Sequence, residues 1–207
     1  FVNLLAMLGW NPGTEQELFS LDELVQAFSL ERVVKSGARF NAEKAKWFNK
    51  EYLRMKSADE LTDLYIPILE SKGITSFPRD YVKKVVTLIQ ERATFVADFW
   101  DIASYLFIAP ETFVEKDAAK FWKEENYTLA LQAADFILNF KGEFTKEALE
   151  GPLEEYIRGN EWPMGKVMNC LRLALVGASN GLGIADIVTL IGKDEFAKRI
   201  EYIKATL

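Results

Sequence analysis

A chain of 207 residues, 49% of them hydrophobic and 27% charged, is long enough to bury one helical core or two small ones, and its composition is that of an ordinary globular domain. The absence of any histidine excludes Ser-His-Asp and Cys-His catalysis, histidine zinc sites and imidazole general bases, and the single cysteine, Cys170, excludes an internal disulfide. A formal net charge of −6 argues against a broadly basic surface, so any nucleic-acid site must be a local patch.

The punctuation predicts helices in chain order. Residues 3–8 are short and apolar, closed by Gly9, and Asn11, Pro12 and Gly13 read as a turn. Ser20 and Glu23 form a capping box, flanked by Phe19 and Leu24 at the positions of a hydrophobic staple, which opens a helix to about Phe28. Asn41 caps a helix with Ala45, Phe48, Tyr52 and Met55 along one side. Ser57 and Glu60 repeat the capping box before a helix presenting Leu61, Leu64, Tyr65, Ile68 and Leu69, which stops near Gly73. Pro78 stands at a first-turn position, and the helix behind it runs through Arg92, with an extension to Tyr105 left open. Ala109 and Pro110 break the pattern, residues 117–122 are helical, Thr128 caps a helix carrying Leu131, Ala134 and Ile137, and Thr145 caps one that stops at Gly159 and Asn160. No strand-like alternation lasts long enough to build a sheet, so the fold class is all-α.

Two arginines stand out against this pattern. Tyr81, Val85, Leu88, Ile89, Val96 and Phe99 fall on one side of the helix after Pro78 at about 100° per residue, and Arg92 falls among them. A guanidinium there must snorkel, pair with a buried carboxylate, or face a cavity that receives a ligand. Between Lys166 and Val176 the apolar residues Val167, Met168, Leu171, Leu173, Ala174 and Leu175 lie all round the wheel, and Arg172 is the only internal charge. Cys170 in that helix reads as a small buried hydrophobe. The glycine-rich stretch GASNGLG that follows lacks the preceding strand and the Gly-Lys-Ser/Thr ending of a phosphate loop. Carboxylates are plentiful but read as solvated helix faces, so no catalytic residue and no metal site is assigned. No apolar run approaches the roughly 20 residues of a membrane span and no export leader is evident, so a cytoplasmic location without a membrane partner is expected.

The run K-V-x-x-x-LRLALxG, its glycine-containing loop and the following I-x-x-x-IGKDE resemble the C-terminal anticodon-binding region of bacterial glutamyl-tRNA synthetases, which are class I ligases. FVNLLAMLGWNPG, FSLDELVQAFSLERV and SGARFNAEKAKWFNKEYLR resemble the segment that follows the active-site lysine loop in the same family, where the stem-contact region begins. The resemblance covers nearly the whole chain in the family's order. It implies an all-helical bundle or cage, with a stem-contact region over residues 1–62 and an anticodon-binding domain over residues 63–207, in which a division near 142 stays open. The His-x-Gly-His and Lys-Met-Ser-Lys type motifs of the nucleotide-binding half are missing, and Phe1 is not an initiator methionine. The chain is therefore expected to be the C-terminal portion of a larger ligase, monomeric, with the catalytic domain in cis and no activity alone. The parent would join glutamate to tRNA(Glu) in two steps using ATP and magnesium, and this portion would take no cofactor.

By the same resemblance, Arg92 stands in the L-x-x-x-R pattern that begins at Leu88, as the arginine that reads the third anticodon base. A planar fork of donors suits base-edge acceptors in a way lysine does not. An arginine there, in place of glutamine, goes with discrimination between glutamate and glutamine tRNAs. Lys84 corresponds to another basic contact; eight residues away, it is rotated by about 80° from Arg92 on an uninterrupted helix, and a solvated lysine is the alternative. Arg172 matches the arginine of LR-x-AL-x-G, expected near an anticodon base, with a buried ion pair as its alternative. Gly181, Leu182, Gly183 and Ile184 form the loop beside it, where backbone groups and apolar surfaces hold unstacked bases. The sequence departs from the pattern at Cys170 and Leu182, where prolines are common, and at Val176, where threonine is common. Without the loop proline the backbone is less restricted. Among the aromatics, Trp100, Tyr105, Phe121 and Trp122 read as core, and Trp162 stays open as a stacking surface. The competing class is a helical protein-interaction module without RNA affinity, which the acidic charge favours.

Overall fold

The computed structural model describes residues 1–34, 37 and 39–206, so Ser36 and Ala38 of the quoted N-terminal block lie outside the described residues. Helices α1 (Val2–Gly9) and α2 (Leu21–Ala27) come first. Between them Trp10 leaves α1 in extended conformation and bridges Val33, while Asn11 Oδ1 accepts the Gly13 N–H at 2.7 Å in the expected turn. Both halves of the Ser20–Glu23 capping box form, and the staple residues Phe19 and Leu24 are buried with Trp10 in a small apolar cluster. Helix α3 (Ala42–Met55) starts from the Asn41 cap. Its inner face is Phe48 and Leu53, whereas Met55, expected on that face, is exposed. The Tyr52 hydroxyl contacts Asn3 Oδ1 at 2.6 Å and the Phe19 carbonyl at 2.8 Å, which ties α3 to the N-terminal helices.

Helix α4 (Ala58–Ser71) opens with the Ser57–Glu60 capping box and buries Leu61, Tyr65 and Leu69. Pro67 lies inside α4 and cannot supply the N–H due to the Asp63 carbonyl, but both residues are exposed and water can take that acceptor. Helix α5 (Arg79–Ile89) packs against α4, with Arg79 bonded to Asp59 and Asp63 and Lys83 bonded to Asp59. It does not run on to Tyr105. The chain tightens into a 3-10 turn over Gln90–Arg92 and leaves the helix at the extended Ala93. The Asp98 carboxylate accepts the freed Thr94 and Phe95 N–H groups at 3.0 and 2.8 Å, and α6 (Asp98–Ala103) starts afresh from there. Breaking the helix this way removes Arg92 from an apolar stripe and places it at an exposed turn.

Helices α7 (Glu115–Phe121), α8 (Glu124–Asn139), α9 (Lys146–Gly159), α10 (Met164–Val176) and α11 (Ile184–Thr206) complete the fold, and α11 is interrupted at Gly192, where φ is 82°. Thr128 is not a cap. Helix α8 begins earlier, with Glu124 and Glu125 favoring its first turn, and the Thr128 hydroxyl donates to the Glu124 carbonyl at 2.9 Å. Thr145 does cap α9. Helix α10 is the centre of the bundle, packed by α7, α8, α9 and α11. One apolar core runs from Leu53 to Ile203 and draws on α3 to α6 and α8 to α11. Among the described residues no helix is long and apolar enough to cross a membrane.

Candidate nucleic-acid interface

In α10, Val167, Cys170, Leu171, Leu173, Ala174 and Leu175 are all buried, as the apolar wheel requires. Arg172 is half-buried one turn before the C-cap Gly177, whose φ of 82° turns the chain out of the helix. A Cβ on Gly177 would lie 2.6 Å from the Thr112 carbonyl oxygen, so glycine is needed for space as well as conformation.

The loop beyond Gly177 folds back over Arg172. Its Nε donates to the Leu182 carbonyl at 3.3 Å, and Nη1 donates to Asn169 Oδ1 at 2.8 Å and to the Ser179 carbonyl at 3.5 Å. Arg92 arrives at the same loop from the turn after α5, with Nη1 donating to the Gly181 carbonyl at 2.9 Å. The structure thus brings together the two arginines that the sequence sets 80 residues apart.

Neither guanidinium has a carboxylate partner among the described ion pairs, so both the buried-carboxylate alternative for Arg92 and the ion-pair alternative for Arg172 fail. The neighbouring Glu91 pairs with Arg54 at 2.8 Å instead. Burial pushes the Arg172 guanidinium below its ordinary value, Tyr105 opposes this, and the positive charge of Arg92 adds to it. Arginine stays charged under such shifts, so the result is a doubly positive locus on an acidic protein. The described hydrogen bonds use Nη1 of Arg92 and Nε and Nη1 of Arg172, so Nη2 of each remains a donor for an incoming acceptor. Planar donors of this kind suit carbonyl, ring-nitrogen or phosphate acceptors.

Only part of the loop is outward. Gly181 is exposed and Gly183 half-buried, but the side chains of Leu182 and Ile184 are 2% and 3% exposed and belong to the core. The loop therefore offers backbone rather than apolar side chains. Lys84 is exposed on α5 and makes no described contact with the arginines or the loop. The 3-10 turn also breaks the uninterrupted helix on which its offset of about 80° rested. Trp162 packs edge-on against Tyr156 at 5.4 Å, half-buried.

Three residues at this site were not singled out for it by the sequence. Asn169 lies three residues before Arg172, a spacing that puts them on one helix face. Asp117 accepts the Ser179 N–H at 2.8 Å, and the Tyr105 hydroxyl accepts the Leu182 N–H at 3.2 Å. These two reach the loop from distant elements, so no local spacing announces them.

Comparison with known proteins agrees with this architecture. The family described as anticodon binding domain matches residues 42–204. Glutamate–tRNA ligase of Flavobacterium psychrophilum is 50% identical over 206 residues, which is 100% of this chain and 40% of the relative. The ligase of Flavobacterium johnsoniae is 46% identical over 97% of this chain and 39% of its own length. Among solved structures, the glutamate tRNA ligase from Elizabethkingia meningosepticum, crystallised in complex with its amino acid, superposes with a TM-score of 0.92 at 37% identity, over 100% of this chain and 41% of that one. The synthetase of Elizabethkingia anophelis gives 0.87 at 35% identity, over 98% and 39%. The chain spans about 40% of the length of these relatives. An all-helical bundle whose residues 42–204 match that family places the chain in the anticodon-binding domain family, to which it belongs.

Proposed function

We propose that this chain is the tRNA-reading, C-terminal portion of a glutamate–tRNA ligase whose remaining length carries the chemistry. One observation supports it above the rest: Arg92 and Arg172 converge on a single, partly exposed loop, and neither has a direct carboxylate partner among the described ion pairs. Like charges held close together beside a partly buried loop, without a direct ion pair, cost stability and are found where a ligand supplies further negative charge or acceptors. In this reading Arg92 meets the third anticodon base of tRNA(Glu), as the discriminating type does, Arg172 meets a neighbouring base, and Gly181 and Gly183 let the RNA approach the backbone. Leu182 and Ile184 act from beneath, by seating the loop in the core. Lys84 contributes a flanking phosphate contact.

Residues 1–62 are the proposed stem-contact region, joining this reader to the rest of the ligase. The concentration of exposed Phe1, Val2, Leu5, Leu21, Val25 and Leu30 there supports a covered surface in the longer protein. The division of residues 63–207 near 142, the monomeric state and the cytoplasmic location belong to the same proposal. The parent's activity, the two-step joining of glutamate to tRNA(Glu) using ATP with magnesium, would lie in the other portion. That this portion takes no cofactor belongs to the same proposal; among the described residues no group of three or more His, Cys, Asp or Glu is arranged to hold a metal ion.

Titration of the chain with tRNA(Glu) across salt concentrations tests the proposal. Affinity should fall as salt rises, because phosphate contacts release counterions, and should fall further when an anticodon base is changed. Binding indifferent to the anticodon would leave Arg92 and Arg172 without base-reading roles, and no binding at all would favour a protein-interaction module.

A further inference from the structure

We infer that Tyr105 and Asp117 are positioning residues that pin the two ends of the loop on which both guanidinia rest, and that they set the base selectivity of the site without touching RNA. The inference rests on the RNA-reading proposal above and deepens it. The loop between Gly177 and Ile184 contains Gly181 and Gly183, and glycines leave a backbone at its most mobile unless something outside the loop holds it. Two side chains do so. Asp117, on α7, takes the Ser179 N–H at 2.8 Å, and Tyr105, from the turn after α6, takes the Leu182 N–H at 3.2 Å.

The Leu182 N–H shares its peptide plane with the Gly181 carbonyl, so holding it aims that carbonyl at Arg92, while the carbonyls of Ser179 and Leu182 on either side are turned to Arg172. Loop orientation and guanidinium orientation are thus one arrangement. Tyr105 is itself held by the core. It is 6% exposed, and the buried Arg199 donates to its backbone carbonyl at 2.7 Å and to the Leu175 carbonyl at 3.1 Å, which locks the Tyr105 turn to the end of α10. The positive charges of Arg92 and Arg172 both act on the Tyr105 hydroxyl. Asp117 is steadied from the other side, because the Val114 N–H one turn earlier donates to the Gly177 carbonyl at 2.8 Å.

The test compares Tyr105→Phe and Asp117→Ala with Asp117→Asn, Arg92→Ala and Arg172→Ala, all in the full 207-residue chain. The readout is the ratio of affinities for tRNA(Glu) and for the same tRNA with one anticodon base changed. Tyr105→Phe should lower that ratio by up to about tenfold, the worth of one buried hydrogen bond, and Asp117→Ala should lower it by less, its bond being only part-buried, with the salt slope unchanged in both. Asp117→Asn keeps an acceptor oxygen and should restore most of it. A merely structural role would instead weaken both tRNAs alike. Selectivity unchanged in Tyr105→Phe and Asp117→Ala, while Arg92→Ala and Arg172→Ala abolish it, overturns the inference and leaves the RNA reading intact. If the unsubstituted chain shows no anticodon preference, the RNA reading fails instead. Hydrogen exchange at the Ser179 and Leu182 amides then decides the pinning: faster exchange in the two variants supports it, and unchanged exchange overturns it.

Discussion

Arg92 Nη1 donates to the Gly181 carbonyl at 2.9 Å across 89 positions of chain, joining the turn after α5 to the loop before α11. The arginine is exposed and its bond is at the surface, so its removal should cost little folding stability. Arg92→Ala is expected to weaken tRNA(Glu) binding by about 1–3 kcal/mol, the worth of a bidentate base contact, with the melting temperature unchanged. Arg92→Lys keeps the charge but loses the fork, and should retain the salt-dependent part only. Fluorescence anisotropy titration alongside thermal melting separates these outcomes.

Gly177→Ala combines an unfavourable φ of 82° with a Cβ 2.6 Å from the Thr112 carbonyl oxygen, which is backbone and cannot swing away. A loss of about 2–4 kcal/mol is expected, or several degrees of melting temperature for a chain of this size. Gly73→Ala, at nearly the same φ of 79°, meets nothing within 4 Å and should cost clearly less. Equal losses in calorimetry would contradict the close approach at Gly177.

Arg199 is the one charged residue among the buried polar groups described, with Glu195 at 2.9 Å and two backbone carbonyls as partners. Replacing it by methionine strands those carbonyls in the core, and a loss of roughly 3 kcal/mol or more is expected in denaturant unfolding. Because Arg199 also holds the Tyr105 turn, anticodon selectivity should fall with it.

The Ser179 backbone N–H, more than any other neighbour, holds the Asp117 carboxyl below its ordinary value of 3.8. A depressed carboxylate contributes fully above that ordinary value and loses its contribution as pH falls through the lowered one. Protection of the Ser179 amide should therefore be level from neutrality to about pH 4 and drop below it. Asp59 and Glu60 are depressed as well, so global acid unfolding overlaps this range. Asp117→Asn isolates the local part, because its Ser179 protection should lose the acid step.

Burial pushes the Cys170 thiol up to about 12, which leaves almost no thiolate at neutral pH. A disulfide reagent should react with the folded chain only as fast as the chain opens, and rapidly in denaturant. Fast reaction in native buffer would contradict the packing of α10.

Much of the architecture was legible because local chemistry decided it: the Ser20–Glu23 and Ser57–Glu60 capping boxes, the Asn41 and Thr145 caps and the apolar wheel of α10 all form as read. The break at Ala93 was not legible, because it is stabilised by the Asp98 carboxylate reaching back to two N–H groups, against an uninterrupted apolar stripe. Thr128 misled because a threonine hydroxyl satisfies a carbonyl inside a helix as readily as an N–H at its start. At the candidate site both arginines were visible as charges out of place. Their convergence, and the anchoring by Tyr105 and Asp117, depend on contacts between distant segments that no periodicity encodes.

A double-mutant cycle tests the central claim most directly: wild-type and Arg92→Ala chains, each titrated with tRNA(Glu) carrying its own third anticodon base and with that base changed. If Arg92 reads that base, the two changes should be coupled by at least about 1 kcal/mol, with the base change costing little once the arginine is gone. Strict additivity, with each change weakening binding independently of the other, would contradict it.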